Sequence, residues 1–275
     1  MYPQLRSAHL GDDKFEAPPG GGDEHRTFGG LVLAQVLAAA AATVGDRRCH
    51  SLHLLFAGAG DARHPIHLNV DRLRDGRHFT ARNVRAEQQG RFLASATLSF
   101  SNGNSGPQRQ IAMPSAPDPE SIEDQRVTRQ RNAIARGAPV WRNVAEELID
   151  ARPVERLHCD NDSAPCRMLW FKSRKELGED AAAHQQLIVF ASDMGLVHLH
   201  LAAHNAQGGG ALEAASLDHA IWFHRHARAD EWLLHVQRAP VAHAGRGLSQ
   251  GAIFNRQGDH VASVAQEVLI RQKVG

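Results

Sequence analysis

Apolar residues in this chain gather into two long runs, and each run is followed by several short alternating ones. From Gly29 to about Val44 the residues are almost wholly apolar and rich in alanine, long enough for a buried helix. Three or four strand-like runs follow between about Cys49 and Ser101, with turn signals at Gly58, Gly60, Asp75-Gly76 and Gln89-Gly90. The same order then returns. A strand near Arg167 to Lys172 leads to a helix from about Asp180 to His204, the Gly208-Gly209-Gly210 loop, and strands from about Ala215 to Arg271. A long helix and then an antiparallel meander, occurring twice, predicts a curved sheet wrapped around a central helix. Residues 11–27, rich in Gly, Pro and acids, predict a loop or loosely held arm. A Pro-rich, charged stretch from Ser101 to about Asp162 reads as a connector, with an amphipathic helix near Val144 to Ile149.

The repetition reaches the residues themselves. Gly76-Arg77-His78-Phe79-Thr80 and Gln88-Gln89-Gly90-Arg91-Phe92-Leu93-Ala94-Ser95 return as Gly245-Arg246-Gly247-Leu248-Ser249 and Arg256-Gln257-Gly258-Asp259-His260-Val261-Ala262-Ser263. Ser51-Leu52-His53-Leu54-Leu55-Phe56 answers to Leu217-Asp218-His219-Ala220-Ile221-Trp222. A spacing of roughly 165 residues is domain-sized, well beyond the ~20–50 residues of a solenoid unit. The chain therefore divides into a first repeat with its arm (residues 1–105), a connector (106–162) and a second repeat (163–275).

Composition narrows the function classes. The 275 residues carry a formal net charge of +1, with no block of one sign to attract nucleic acid or an anionic membrane. No run resembles a signal peptide or approaches the roughly 20 apolar residues of a membrane span. Three scattered cysteines, Cys49, Cys159 and Cys166, do not make a disulfide framework or a zinc knuckle. The expectation is a soluble cytoplasmic protein. The 18 histidines, beside few lysines, are a compositional bias first.

Chemistry enters where the copies differ. Set against Phe28-Gly29-Gly30-Leu31, the second helix places Asp193 opposite Leu31, among Val189, Phe190, Leu196 and Val197. An unpaired carboxylate on such a face costs several kcal/mol or shifts its pKa upward. The bland alternative is that the helix begins late and Asp193 is its N-cap. On the last strand Gln266 shares a face with Ala262, Val264 and Val268, where the first copy has Leu98. A buried amide must find partners, so Gln266 taken alone could equally be structural. Ser216, at a strand entrance, carries little weight by itself. Asp218-His219 is unconvincing as an acid–base pair, because neighbours along a strand point to opposite faces.

These segments, with His50-Ser51-Leu52-His53, Leu73-Arg74-Asp75-Gly76-Arg77-His78-Phe79, Ala191-Ser192-Asp193, Leu217–His224 and Val261–Glu267, resemble the acyl-CoA thioesterase II family. The resemblance spans most of both halves and fails in the arm and connector. It implies an α+β double hot-dog fold and an acyl-CoA substrate. No cofactor or metal follows from it, and homo-oligomeric association does. It also implies a catalytic set of Asp193, Ser216 and Gln266. One departure is Ala57-Gly58-Ala59-Gly60-Asp61, where members commonly carry Arg-Pro-Gly before the Asp; this loop bears on chain-length preference and assembly.

The residue types suit the reaction. A thiolate with a conjugate-acid pKa of about 8.5 leaves with little protonation, so a carboxylate, an amide and a hydroxyl need only hold and activate a water. Backbone N–H groups near Gly29 and Gly30 are candidate oxyanion donors. No Gly-x-Ser-x-Gly elbow is present, so an acyl-serine at Ser216 is the lesser alternative. His198, His200 and His204 raise a metal reading without a His-Glu-x-x-His pattern. A non-catalytic acyl-CoA-binding or regulatory module is the remaining rival.

Overall fold

One antiparallel sheet carries both repeats in this computed structural model, which describes residues 2–21, 23, 25–103, 105–154, 164–206, 208 and 210–272. The first half contains β1 (Ala8–Gly11), β2 (Lys14–Ala17), α1 (Gly29–Ala41), β3 (Arg48–Phe56), β4 (Ile66–Asp75), β5 (Phe79–Gln88) and β6 (Arg91–Ser101). Between the halves lie α2 (Gln125–Ala135), α3 (Val144–Leu148) and β7 (Ile149–Val154). The second half contains β8 (Cys166–Ser173), α4 (Ala181–Ser192), α5 (Leu196–Ala206), β9 (Leu212–Ser216), β10 (Asp218–Phe223), β11 (Leu233–His243), β12 (Arg246–Asn255) and β13 (His260–Gln272).

Strand order exposes the duplication. The sheet runs β1-β2-β4-β5-β6-β3-β10-β13-β12-β11-β8-β7, with β9 also against β13. Its first half, β2-β4-β5-β6-β3, is matched in reverse by β10-β13-β12-β11-β8, and the two meet at the β3–β10 seam. Hairpin turns sit where glycine signals them. Gln89-Gly90 and Ala244-Gly245 both have positive φ at both residues, the geometry of two-residue hairpins.

Inside the curve, α1 packs against α4 with no polar face of its own. Leu31, Leu33, Val36 and Leu37 are all buried, each worth about 1.5–3 kcal/mol relative to exposure. The contact is close because glycine makes it so. A Cβ on Gly30 would lie 2.2 Å from the Phe190 carbonyl oxygen.

Four expectations are corrected. The expected loose arm of residues 11–27 begins instead as a hairpin, in which β2 pairs with β1 across a turn with Asp12 and Asp13 at positive φ, and Phe15 and Ala17 lie in the core. The second helix is two helices, broken after Ser192, with Gly195 at φ +90° in the link. Together the run Ala181–Ala206 is long and apolar enough to cross a membrane, although 61% of its apolar window is buried inside the protein. Finally, Cys166 is disulfide-bonded while Cys49 is free and buried. Cys159, Gly209 and the C-terminal Lys273-Val274-Gly275 lie outside the described residues.

Candidate active site

Asp193 sits in the link between α4 and α5 as the C-terminal residue capping α4. It is therefore neither inside a continuous helix nor an N-cap. The link delivers its carboxylate to the start of α1. There the Gly30 N–H donates to Oδ2 at 2.8 Å, and a Cβ on Gly29 would come within 2.8 Å of the same oxygen. An uncapped helix N-terminus is a natural anion cradle, and here the anion comes from the other repeat. Asp193 is 7% exposed, and its Oδ1 makes no hydrogen bond. Burial pushes its pKa up, against the opposing pull of His219, the Gly30 N–H and the Gln266 amide.

Gln266 projects from the buried face of β13 between two partners. Its Nε2 donates to Ser216 Oγ at 3.0 Å, and its Oε1 accepts from His219 Nδ1 at 2.6 Å. An amide oxygen only accepts, so His219 carries its proton on Nδ1. His219 Nε2 lies 2.9 Å from Ser192 Oγ, whose single proton it shares with the Val189 carbonyl at 2.8 Å. The ring lies 4.0 Å from Asp193 Oδ1. Burial lowers the His219 pKa despite the neighbouring carboxylate.

The three residues singled out in the sequence thus belong to one cluster, and its centre is a residue that was set aside. His219 was paired with Asp218 and dismissed on strand alternation. Asp218 does point elsewhere, accepting from the Glu267 N–H at 2.6 Å. What alternation missed is an irregularity at Leu217. Ser216 ends β9 and pairs with Val268, whereas β10 pairs Ala220 with Ala265, a register shifted by one residue. A bulge of this kind lets residues 216 and 219, which a regular strand would send to opposite faces, both reach Gln266. The ladders also realign the repeats. Leu52 pairs with Leu98 on β3 and β6, and His219 faces Gln266 one step beyond the Ala220–Ala265 pair on β10 and β13. The first half keeps two leucines where the second has a histidine and an amide.

Asp193 and Ser216 open onto a cavity of about 1160 Å³. Phe28, Val32, Phe56 and Leu93 give one side of it an apolar wall, and the Gly58-Ala59-Gly60 loop borders that side. Asp23, Glu146 and Asp193 are its acids. Glu146 is buried and held by Arg129, which donates from Nε to its carboxylate at 2.7 and 2.8 Å. Gly30, offered with Gly29 as an oxyanion donor, already serves Asp193; no hydrogen bond engages the Gly29 N–H among the described residues. Those residues also hold no group of three or more His, Cys, Asp or Glu placed to bind a metal, and His200 Nε2 lies 3.2 Å from Ser249 Oγ.

Two family models match separate parts of the chain. A family model described as acyl-CoA thioesterase matches residues 143–269, and one described as acyl-CoA thioesterase N-terminal domain matches residues 18–101. Acyl-CoA thioesterase 2 of Haemophilus influenzae is 35% identical over 257 residues, covering 90% of this chain and 88% of that protein. Human acyl-coenzyme A thioesterase 8 is 34% identical, with 90% and 81% covered. Among solved structures, an acyl-CoA thioesterase II from Mycobacterium marinum superposes with a TM-score of 0.82 at 35% identity over 98% of both chains. A hot-dog protein from Alicyclobacillus acidocaldarius, at 18% identity and a TM-score of 0.76 over 99% and 98% of the two chains, shares the fold. The α+β double hot-dog architecture implied by the family resemblance is the one the chain adopts.

Proposed function

We propose, since this chain belongs to the acyl-CoA thioesterase family, that its cavity hydrolyses acyl-CoA thioesters by direct attack of a water on the thioester carbonyl. The observation that carries this reading is the buried Asp193 carboxylate, whose Oδ1 has no hydrogen-bond partner, on a residue that lines the same cavity as Ser216. Leaving such an atom unsatisfied costs free energy, which a bound water's O–H recovers. A module that only binds has no use for that arrangement.

In the proposed step, the water donates to the Asp193 carboxylate and is oriented by Ser216, whose hydroxyl accepts from Gln266 and so presents its own proton to the cavity. Asp193 takes a proton as the water oxygen bonds to the carbonyl carbon. The unengaged Gly29 N–H, at the positive end of α1, receives the oxyanion. Collapse breaks the carbon–sulfur bond, and the thiolate takes the proton back from Asp193, giving free acid, CoA thiol and the starting carboxylate. His219 does not meet substrate. Its Nδ1–H fixes the Gln266 amide, and hence Ser216, in one orientation. The acyl group lies along Phe28, Val32, Phe56 and Leu93.

Release of free thiol from a panel of short, medium and long acyl-CoAs tests the activity. Mass spectrometry of the protein during turnover tests the mechanism, which requires that no acyl adduct accumulate on Ser216. A trapped acyl-serine would replace direct attack with a two-step path.

A further inference from the structure

Next to the catalytic cavity lies a second one of about 1380 Å³, and the two share Gln125, Arg129, Trp141, Arg167 and His198. Its floor is largely apolar, with Val154 from β7 and Leu199 and Ala202 from α5. Its roof is α2, a helix with no buried residue. The residues of α2 that line the chamber are Gln125, Thr128, Arg129, Asn132 and Ala133, joined by Arg136 at its C-terminal cap, a spacing that marks one helical face. All but one of them are polar. The apolar residues Val127 and Ile134 do not line the chamber and are 45% and 70% exposed. The helix is mounted inside out for a globular protein, whose surface helices turn their apolar stripe inward. A polar, cationic face aimed at a chamber implies a polar, anionic occupant.

The charge balance also differs between the two cavities. The catalytic one sets Asp23, Glu146 and Asp193 against Arg26, Arg129 and Arg167, so acids and arginines are equal in number there. The second contains Arg129, Arg136 and Arg167 against one acid, Glu123. That acid is taken up by Arg131, at 2.7 and 2.8 Å. Arg129 is held by Glu146 and the Trp141 carbonyl, whereas Arg136 makes no ion pair among the described residues. Trp141, 53% exposed, presents an indole at the junction. CoA has the matching layout, with its thioester and its phosphates held apart by the pantetheine arm and an aromatic base beyond.

Resting on the thioesterase reading, we infer that the α2 chamber is the CoA-recognition site, in which Thr128, Asn132 and Arg136 bind the phosphates while Trp141, at the junction, packs on the pantetheine arm entering beside it. Arg167 adds positive charge at the floor. The connector between the repeats then determines which thiol carrier is accepted, and the catalytic cavity determines which acyl group.

The test compares each acyl-CoA with the acyl-pantetheine thioester of the same acyl group, which lacks the phosphates and the base. Wild type should prefer the CoA ester in kcat/KM. Arg136→Ala and Asn132→Ala should each reduce that preference by about tenfold, through KM for the CoA ester, as expected for loss of a contact to a charged group. A preference unchanged in both variants overturns the inference. So does a variant that shifts the acyl-length profile, since the chamber would then hold the acyl tail. Calorimetric titration of CoA itself is independent of turnover: weaker binding to Arg136→Ala supports the site even if neither thioester is hydrolysed, an outcome that would sink the catalytic reading alone. Equal binding of CoA to both proteins overturns the site.

Discussion

Replacing Asp193 with asparagine separates what this side chain does for turnover from what it does to the fold. The carboxylate is buried, with one hydrogen bond at 2.8 Å and one oxygen unpaired. The nearest group able to offset its charge is His219, 4.0 Å away. An imidazolium at that distance would contribute about 4 kcal/mol at an effective dielectric of 20. Burial lowers the His219 pKa, however, so at neutral pH the ring is uncharged and most of this is unrealised. The Asp193 pKa is consequently raised by burial above its ordinary value of 3.8. A raised folded pKa means the native state holds this proton more tightly than the unfolded chain. The contribution to stability is full below 3.8 and is lost as pH rises through the folded value. Asparagine keeps an acceptor for the Gly30 N–H and cannot ionise. At pH 8 the variant should be more stable than wild type by on the order of 1 kcal/mol, a gain that fades toward pH 4. Turnover should fall by about 10²–10⁴-fold with the loss of the general base. In wild type, the acid limb of kcat should lie above the ordinary carboxylate range. Urea unfolding at both pH values, with a free-thiol assay, checks each part. A variant less stable than wild type at pH 8, or turning over within tenfold of it, would refute this account.

Other perturbations probe the rest of the cluster. Gln266→Leu installs the residue type that Leu98 supplies in the first repeat and leaves the His219 N–H unpaired; we expect a loss of about 1–3 kcal/mol in denaturant titration and at least a tenfold fall in kcat. Gly30→Ala forces its Cβ against the Phe190 carbonyl oxygen and parts α1 from α4. It should cost about 1–3 kcal/mol in thermal or chemical unfolding, the reverse of the usual gain from Gly→Ala in a helix. Eight histidines (His50, His198, His200, His219, His224, His226, His235 and His260) are shifted down, chiefly by burial. The unfolded chain therefore binds more protons below about pH 6.5, and stability should fall as pH drops from there. His235, pushed to about 3, accounts for one of those protons, so the pH slope of stability in His235→Leu should be shallower by one proton between pH 6 and 4.

Strands, repeats and the α+β class were legible because both helical runs are apolar and strands such as β5 and β10 alternate. The β1–β2 hairpin was not, since the two central residues of its turn are Asp12 and Asp13 at positive φ, with glycine only before them at Gly11. Helix α2 was invisible to periodicity for a physical reason: it has no apolar face against a core to generate one. Asp193 and Gln266 stood out because polar groups at apolar positions need an explanation. His219 did not, because the irregularity at Leu217 undoes the alternation by which strand faces are read, and a one-residue slip in matching the repeats set it against the exposed His53 instead of buried Leu52. The break at Asp193 had a signal in Gly195, passed over inside a long apolar run.

The hydrogen-bonded seam where β3 meets β10 decides which surface of each repeat faces the other, and the covalent link decides that they are always these two. A pair of identical subunits must accept every substitution twice, at symmetry-related places. Fusion removes that restriction. One half can lend only a helix end and an apolar wall, while the other supplies the titrating groups, and the matching position around Leu52 and Leu98 is free to fill with hydrocarbon and stiffen the barrel. Under the proposed mechanism such a chain has a single centre for turnover where its symmetric equivalent would have two.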